Sequence, residues 1–433
     1  MAQAPQPRPP GRVAFARVQP EPARRRLLIA VIVGLALAAG VSGVVVGAGH
    51  GGNERDTASN VPTPGRGAPQ ERVSFLARIV PPPVQRQRGG GGAAVPGSVA
   101  DLARRLPVER KVAQLFLFGF RGTDLTSEIF GRLRRLDVGG IVITGQNYTD
   151  VTQLGSLAGE AAVIASEERH VKPWVMTSQE GGELNSFPDL PPAALPADLG
   201  SAAEAGSGAK KSASALRSLG VNGVLGPVVD VGTETGSALG ARVYSDQPEL
   251  VSAYAEETVG AYRAEHVFSA VKHFPGLGAA DQSTEEGPAT VGLGLDELRA
   301  RDLIPFEAAI DAGVPGVVIG HALYALNDFT VPASLSRAVA TGLLRGELRF
   351  KGVAITDDLA DPAITTIHTV PDAAVQALRA WADMLYISGG TGAQQSAYVA
   401  VLRAVQRGRI PRRRLDQAVG RILLAKQDYD LIR

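Results

Sequence analysis

"VFSAVKHF", residues 267–274, is a continuous apolar run that closes on a basic pair, Lys272-His273. A half-exposed strand would alternate apolar and polar residues. A run that is apolar throughout belongs to a strand buried on both faces, as in a parallel sheet covered by helices. Seven more runs share this character: VAQLFLFGF (112–120), GGIVITG (139–145), PWVMTSQ (173–179), NGVLGPVVD (222–230), GVPGVVIGHA (313–322), GVAITD (352–357) and DMLYISG (383–389). Ala-, Leu- and Arg-rich segments of helical spacing separate them, with helices expected over 202–218, 248–265, 295–311 and 372–382. Eight strands, seven crossovers and a closing helix near 392–407 predict an α/β fold, a (β/α)8 TIM-type barrel. The alternative is a doubly wound open sheet. It usually has fewer strands and a Gly-rich phosphate turn after the first, and no such turn is present.

The barrel accounts for residues 98–433, and three segments of different character precede it. Residues 1–26 hold six Pro, six Arg and one Glu without apolar periodicity, the composition of a disordered basic tail. Residues 27–48, LLIAVIVGLALAAGVSGVVVGA, carry no charge over 22 positions. As a helix they reach about 33 Å, enough to cross a bilayer core. Arg24-Arg25-Arg26 stands just before this span, which predicts a cytoplasmic N-terminus and a barrel outside the cytoplasmic membrane. Secretion after signal cleavage is the alternative, but the leading tail is long and the apolar run exceeds the roughly 7–15 residues of a signal core. Residues 49–97, rich in Gly, Pro, Arg and Gln, read as an extended tether.

Composition excludes several functions. The formal net charge is +1, and only 7 of 44 basic residues are Lys, so no field favours nucleic acid. There is no Cys, which removes disulfides, thiolate nucleophiles and Cys-ligated zinc. The six His show no His-x-x-x-His spacing, and no metal or cofactor is implied.

In a barrel of this kind the chemistry collects at the C-terminal ends of the strands. Those ends carry Thr144 and Gln146, Ser178-Gln179-Glu180, Asp230, Lys272-His273, His321, Asp357-Asp358 and Ser388. Asp230 reads equally as a cap, Gln179-Glu180-Gly181-Gly182 as a turn, and His321 as a hydrogen-bonded core residue. Burying Lys272-His273 without partners is costly, which favours a functional role. One Asp after a strand is an ordinary helix cap. Two predict that Asp357 points into the barrel mouth while Asp358 caps or braces.

With these residues in place, the chain resembles glycoside hydrolase family 3, particularly its single-domain bacterial β-N-acetylhexosaminidases. The markers are GGIVITGQN, QEGG, GVNGVLGPVVDV, ARVYSDQPELV, AVKHFPGLG, PASLS and GVAITDDL, in this order over residues 100–430. The resemblance implies a (β/α)8-type barrel and retaining chemistry, with Asp357 as the nucleophile that forms a covalent glycosyl-enzyme. It implies sugar contacts at Arg242, Lys272 and His273, with Ser178 and His321 as further candidate binding residues. The implied substrate is a β-linked N-acetylglucosamine glycan such as peptidoglycan or its fragments, with β-glucosides and β-xylosides as alternatives, and a monomer is expected.

The departures from the family pattern touch the acid/base. The family usually has Asp-Gln-Glu-Gly-Gly-Arg where this chain has Ser178-Gln179-Glu180-Gly181-Gly182-Glu183, and an Asp where this chain has Ala241. The hexosaminidase branch keeps an Asp-x-His dyad in the loop after KHFPGHG. Here Leu277 replaces the first His and the loop contains none. Counted from the Gly-rich side Glu285 takes the dyad position; counted back from Pro288, Thr284 does. Glu285, Glu286 and Asp281 are therefore the candidate acid/bases, with Asp281 also a candidate brace. A membrane-tethered glycan-binding protein of weak or no activity is the main alternative, and an extracellular scaffold without a sugar ligand a further one.

Overall fold

The computed structural model describes residues 97–233 and 236–432. The expected basic tail, membrane span and all but the last residue of the tether lie outside the described residues. No helix among the described residues is long and apolar enough to cross a membrane.

Each apolar run supplies one short parallel strand. We label them β1 (Phe116–Gly119), β2 (Gly140–Val142), β3 (Trp174–Thr177), β4 (Gly223–Val224), β5 (Phe268–Phe274), β6 (Gly316–Ile319), β7 (Val353–Thr356) and β8 (Leu385–Ile387). The strands pair in the order β8-β1-β2-β3-β4-β5-β6-β7, all parallel. A parallel bridge between Ile355 and Met384 brings the two ends together, so the sheet forms a nearly closed barrel. Every strand residue is buried except Tyr386. This is why the runs are apolar throughout: one face fills the barrel and the other meets the helices.

The strands are shorter than the runs that announced them. In the first run, Val112 and Ala113 close a helix, Val108–Ala113, before β1 begins. In the fourth, Pro227 cannot donate to a ladder, and β4 stops at Val224; beyond it the chain meets β5 again through the Gly226 carbonyl, which accepts from Ala270, and a bridge from Val228 to Lys272.

The helices begin where side chains can satisfy their first free N–H groups. Ser201 caps Ala202–Ser218 through its hydroxyl, and Asp150 caps Val151–Glu167 by accepting from two backbone N–H groups. Pro248 opens Pro248–Ala264, where its missing N–H costs nothing. The crossover expected as one helix over 295–311 is two, Leu295–Ala300 and Ile304–Asp311. The sixth crossover winds in π-helical turns over Ala338–Glu347. The closing helix, Thr391–Gln406, is followed by another, Arg412–Asp428.

At the N-terminal end of the barrel one buried carboxylate gathers three arginines. Asp383, fully buried just before β8, accepts from Arg345 at 2.5 Å, Arg421 at 3.0 Å and Arg414 at 3.1 Å. Burial pushes its carboxyl up, and the three guanidiniums together hold it below the usual range. The opposite end carries the cavity.

Candidate active site

A cavity of about 820 Å³ opens at the C-terminal ends of the strands. Ser178, Glu180, Arg242, Lys272, His273 and Asp357 all line it. Most of the strand-end residues of the sequence therefore converge as a barrel requires; Asp230 and His321 lie behind the wall.

Lys272 and His273 are neighbours on β5 with different partners. Lys272 Nζ lies 2.6 Å from Glu180 Oε1 and donates to Ser178 Oγ at 3.3 Å. Arg242, at the end of a short 3-10 turn (Gly240–Arg242), grips the same carboxylate with two N–H groups: Nε to Oε2 at 2.7 Å and Nη2 to Oε1 at 2.9 Å. Burial alone would raise the Glu180 carboxyl. Lys272 and Arg242 outweigh it and hold Glu180 well below the usual carboxylate range. In return Glu180 holds Arg242 charged, although burial opposes it. The cost of burying Lys272 is thus offset by an ion-paired triad. Glu180 is a site residue that sequence reasoning passed over as part of a turn. Its signal was QEGG, a charged residue at a strand end.

His273 lines the same cavity but is held by a different carboxylate. Asp230, fully buried, accepts from the His273 backbone N–H at 3.2 Å, from the Leu277 backbone N–H at 2.7 Å and from His273 Nδ1 at 2.7 Å. Nδ1 therefore carries a proton, and Nε2 is turned toward Asp357 Oδ2, 3.8 Å away. Asp230 acts as a brace for the strand end and the ring rather than as a helix cap.

Asp357 follows β7, its backbone N–H donating to the Ile319 carbonyl of β6 at 2.9 Å. Its carboxylate accepts from the Asp358 N–H at 3.1 Å. Burial pushes the carboxyl up, but His273, His321, Lys272 and Arg242 bring it below its ordinary value. An ionised carboxylate at a cavity wall has the chemistry to act as a nucleophile or to stabilise a cation. Asp358 braces, as expected: its Oδ1 accepts from the backbone N–H groups of Ala360 and Ser388, both at 2.9 Å.

His321 sits behind this wall and does not line the cavity. Its Nε2 meets the Asp358 carbonyl at 2.9 Å and its Nδ1 meets Ser334 Oγ at 2.8 Å, so both nitrogens are spent. Burial holds its pKa down. This is the hydrogen-bonded core reading of His321.

The loop after β5 begins at a tight corner. Gly276 has φ +121°, a conformation that suits glycine, and a Cβ on Gly278 would strike the Val231 carbonyl. Of the three loop carboxyls, only Glu285 lines the cavity; it is two-thirds exposed and lies 3.5 Å from Arg242 Nη1. Asp281 is tied down elsewhere, accepting from the Thr290 N–H at 2.7 Å and the Thr290 hydroxyl at 2.6 Å. Those bonds outweigh the effect of burial and hold Asp281 below the usual range. Glu286 is exposed and outside the cavity wall. Thr284 is buried, and its carbonyl accepts from the Ala363 N–H at 3.2 Å, docking the loop on the turn that follows β7.

That turn brings a carboxyl the sequence did not single out. Asp361 lines the cavity together with Asp357 and Glu285. Burial, with Asp357, Asp358 and Glu285 nearby, pushes its pKa up to about 9, and Arg242 offsets only part of this.

The family model described as "Glycosyl hydrolase family 3 N terminal domain" matches residues 107–425. Among curated proteins, a "Beta-hexosaminidase" of Stenotrophomonas maltophilia is 33% identical over 270 residues, covering 59% of this chain and 78% of the relative. Among solved structures, a glycoside hydrolase family 3 β-N-acetylglucosaminidase from Paenibacillus sp. matches with a TM-score of 0.73 at 34% identity, over 75% of this chain. The match spans 63% of that structure's length. A β-N-acetylhexosaminidase from Beutenbergia cavernae matches with a TM-score of 0.68 at 26% identity, over 74% of this chain and 99% of the other.

Proposed function

The chain belongs to glycosyl hydrolase family 3, and from this premise we propose that it is a retaining β-N-acetylhexosaminidase acting on β-linked N-acetylglucosamine glycans. One observation carries the reading. Asp357 is held ionised at the cavity wall, beside a buried cluster of Lys272, Arg242 and Glu180 with donors to spare.

The cluster suits a polyhydroxylated ring. Lys272 has three N–H groups, and Glu180 and Ser178 take two of them. Arg242 has five, of which Glu180 takes two. The remaining donors can orient sugar hydroxyls, and the Glu180 carboxylate keeps both cations charged and in place. In the first step an Asp357 oxygen attacks the anomeric carbon, and the bond to the leaving oxygen breaks through an oxocarbenium-like transition state. Water then hydrolyses the glycosyl ester and restores the carboxylate. His273, fixed by Asp230, adds an oriented imidazole next to the nucleophile.

We place the barrel outside the cytoplasmic membrane as a monomer on the tether of residues 49–97, where peptidoglycan or its fragments are the nearest such glycans. This placement rests on the apolar run 27–48 and the three preceding Arg.

The test is hydrolysis of aryl N-acetyl-β-glucosaminides by the full-length chain. Asp357→Ala is expected to lower turnover roughly 10³-fold or more, because it removes the carboxylate that forms the glycosyl ester. Sugar binding without turnover in the wild type would favour the glycan-binding reading, which the serine at position 178 otherwise supports.

A further inference from the structure

A glycosidase that cleaves ordinary alkyl glycosides must protonate the leaving oxygen, and the position that carries the dyad in related hexosaminidases holds no His here. The three carboxyls of the loop after β5 are poorly placed for this. Asp281 is bound to Thr290 and held ionised. Glu286 is outside the cavity. Glu285 is two-thirds exposed and already beside Arg242.

Asp361 differs from all three. It begins the one-turn helix Pro362–Thr365, where an Asp would normally spend its carboxylate capping the helix. It does not: no side-chain cap bond forms, and its carboxyl has no hydrogen bond or ion pair among the described residues. Its backbone is fixed all the same. Its N–H donates to the Asp358 carbonyl at 2.9 Å, and its own carbonyl accepts from Ile364 and Thr365, both at 2.9 Å. The next turn is pinned to the β5 loop through Ala363 and Thr284. A rigid turn therefore presents an unspent carboxyl to the cavity that contains Asp357.

From this placement we infer that Asp361 is the general acid and base of the reaction. The assignment rests on the retaining reading given above. In the first step the Asp361 proton passes to the glycosidic oxygen as the carbon–oxygen bond breaks and Asp357 forms the glycosyl ester. The leaving group departs as a neutral alcohol, and Asp361 is left as a carboxylate. In the second step that carboxylate takes a proton from the attacking water, the hydroxyl bonds to the anomeric carbon, and Asp357 leaves as a carboxylate. One water is consumed, and both carboxyls return to their starting states.

The surroundings separate the two carboxyls. Asp357 is faced by His273, His321, Lys272 and Arg242. Asp361 is faced by Asp357 and Asp358 from the end of β7, Glu285 from the loop and Tyr386 from β8, with Arg242 as the opposing cation. Two carboxyls sharing a cavity cannot both ionise cheaply, so the one with the larger share of positive neighbours ionises and the other keeps its proton.

The experiment uses the full-length chain with two N-acetyl-β-glucosaminides, one with a dinitrophenyl and one with an alkyl leaving group, in the presence and absence of azide. Asp361→Asn is expected to lower kcat/KM for the alkyl glycoside roughly 10²–10⁴-fold. The dinitrophenyl glycoside needs little protonation and should still form the Asp357 ester. Azide, which needs no base, should then release a β-glycosyl azide from Asp361→Asn. Wild-type kcat/KM for the alkyl substrate should fall on the alkaline side of neutrality, whereas that for the dinitrophenyl substrate should not; this check requires no variant to fold. Undiminished alkyl turnover in Asp361→Asn, glycosyl azide from Glu285→Gln in its place, or an alkyl profile without the alkaline fall would overturn the assignment. A wild type that forms no ester at Asp357 would overturn the retaining reading and the assignment with it. An ester at Asp357 with unchanged Asp361→Asn kinetics would overturn the assignment alone.

Discussion

Glu180 and Asp357 both follow strand ends, Glu180 nearly buried and Asp357 one-fifth exposed, and cations brought from other parts of the barrel hold both carboxyls below their ordinary range. For Glu180 the dependence runs in both directions, since Lys272 is buried, Arg242 is partly so, and both pair with it. Replacing Glu180 with Gln leaves Lys272 without a counter-charge, and loss of one partner of a buried pair typically costs roughly 3–5 kcal/mol. Because the folded pKa of Glu180 is depressed, its contribution is fully present above the unfolded carboxyl range and is lost as pH falls through the folded value. The difference in melting temperature between wild type and Glu180→Gln should therefore be large at pH 7 and narrow only at strongly acidic pH. A difference that stayed constant with pH would show that the carboxylate charge is not what matters. None of this triad was fully legible in the sequence. Lys272 stood out because it interrupts an apolar run, whereas Glu180 lies in a Gly-rich segment with no periodicity to mark its direction. Its bonds to Arg242 span 62 positions, and no local rule reports contacts of that range.

At the scale of elements, the parallel strands could be read because burial on both faces leaves a continuous apolar signature. Their ends could not, because the signature also covers the helix turn before β1 and the proline-interrupted segment after β4. The same limit applied to His321, which ends a buried strand like the site residues do but turns into the core, where Ser334 and the Asp358 carbonyl occupy it. Asp361 was missed for a related reason: an Asp before a Pro reads as a helix cap, and only the structure shows that it caps nothing. The most consequential joint is the β4–β5 contact at Asp230. This one side chain accepts from two backbone N–H groups and an imidazole, and so fixes the end of β5, the turn after it and the ring beside Asp357. Asp230→Ala leaves all three donors without an acceptor in a dry interior. It is expected to destabilise the fold by roughly 3–5 kcal/mol. It should also reduce aryl glycoside turnover in the molecules that remain folded. A melting curve and an activity assay on the same preparation separate the two effects. Full activity per folded molecule would mean that the His273 orientation is unimportant.

For the molecule as a whole, the two ends of the barrel carry their buried charge for different purposes. At the N-terminal end, Asp383 gathers three arginines from the crossover before β7 and the last helix, tying the end of the chain to the sheet. This cluster lies at the opposite end from the site cavity and is read as stabilising. At the C-terminal end the charges surround open space of about 820 Å³, and the cations face one carboxylate, Asp357, more than they face Asp361. The central claim is that Asp357 forms a bond to the sugar. The direct measurement is intact-mass spectrometry of the full-length chain after incubation with a 5-fluoro-N-acetyl-β-glucosaminyl fluoride, which forms the glycosyl-enzyme quickly and releases it slowly. The predicted result is one sugar residue per chain, located by proteolysis on the peptide that contains Asp357 and absent from Asp357→Ala. An unlabelled wild type, or an adduct that persists in Asp357→Ala, would contradict the account.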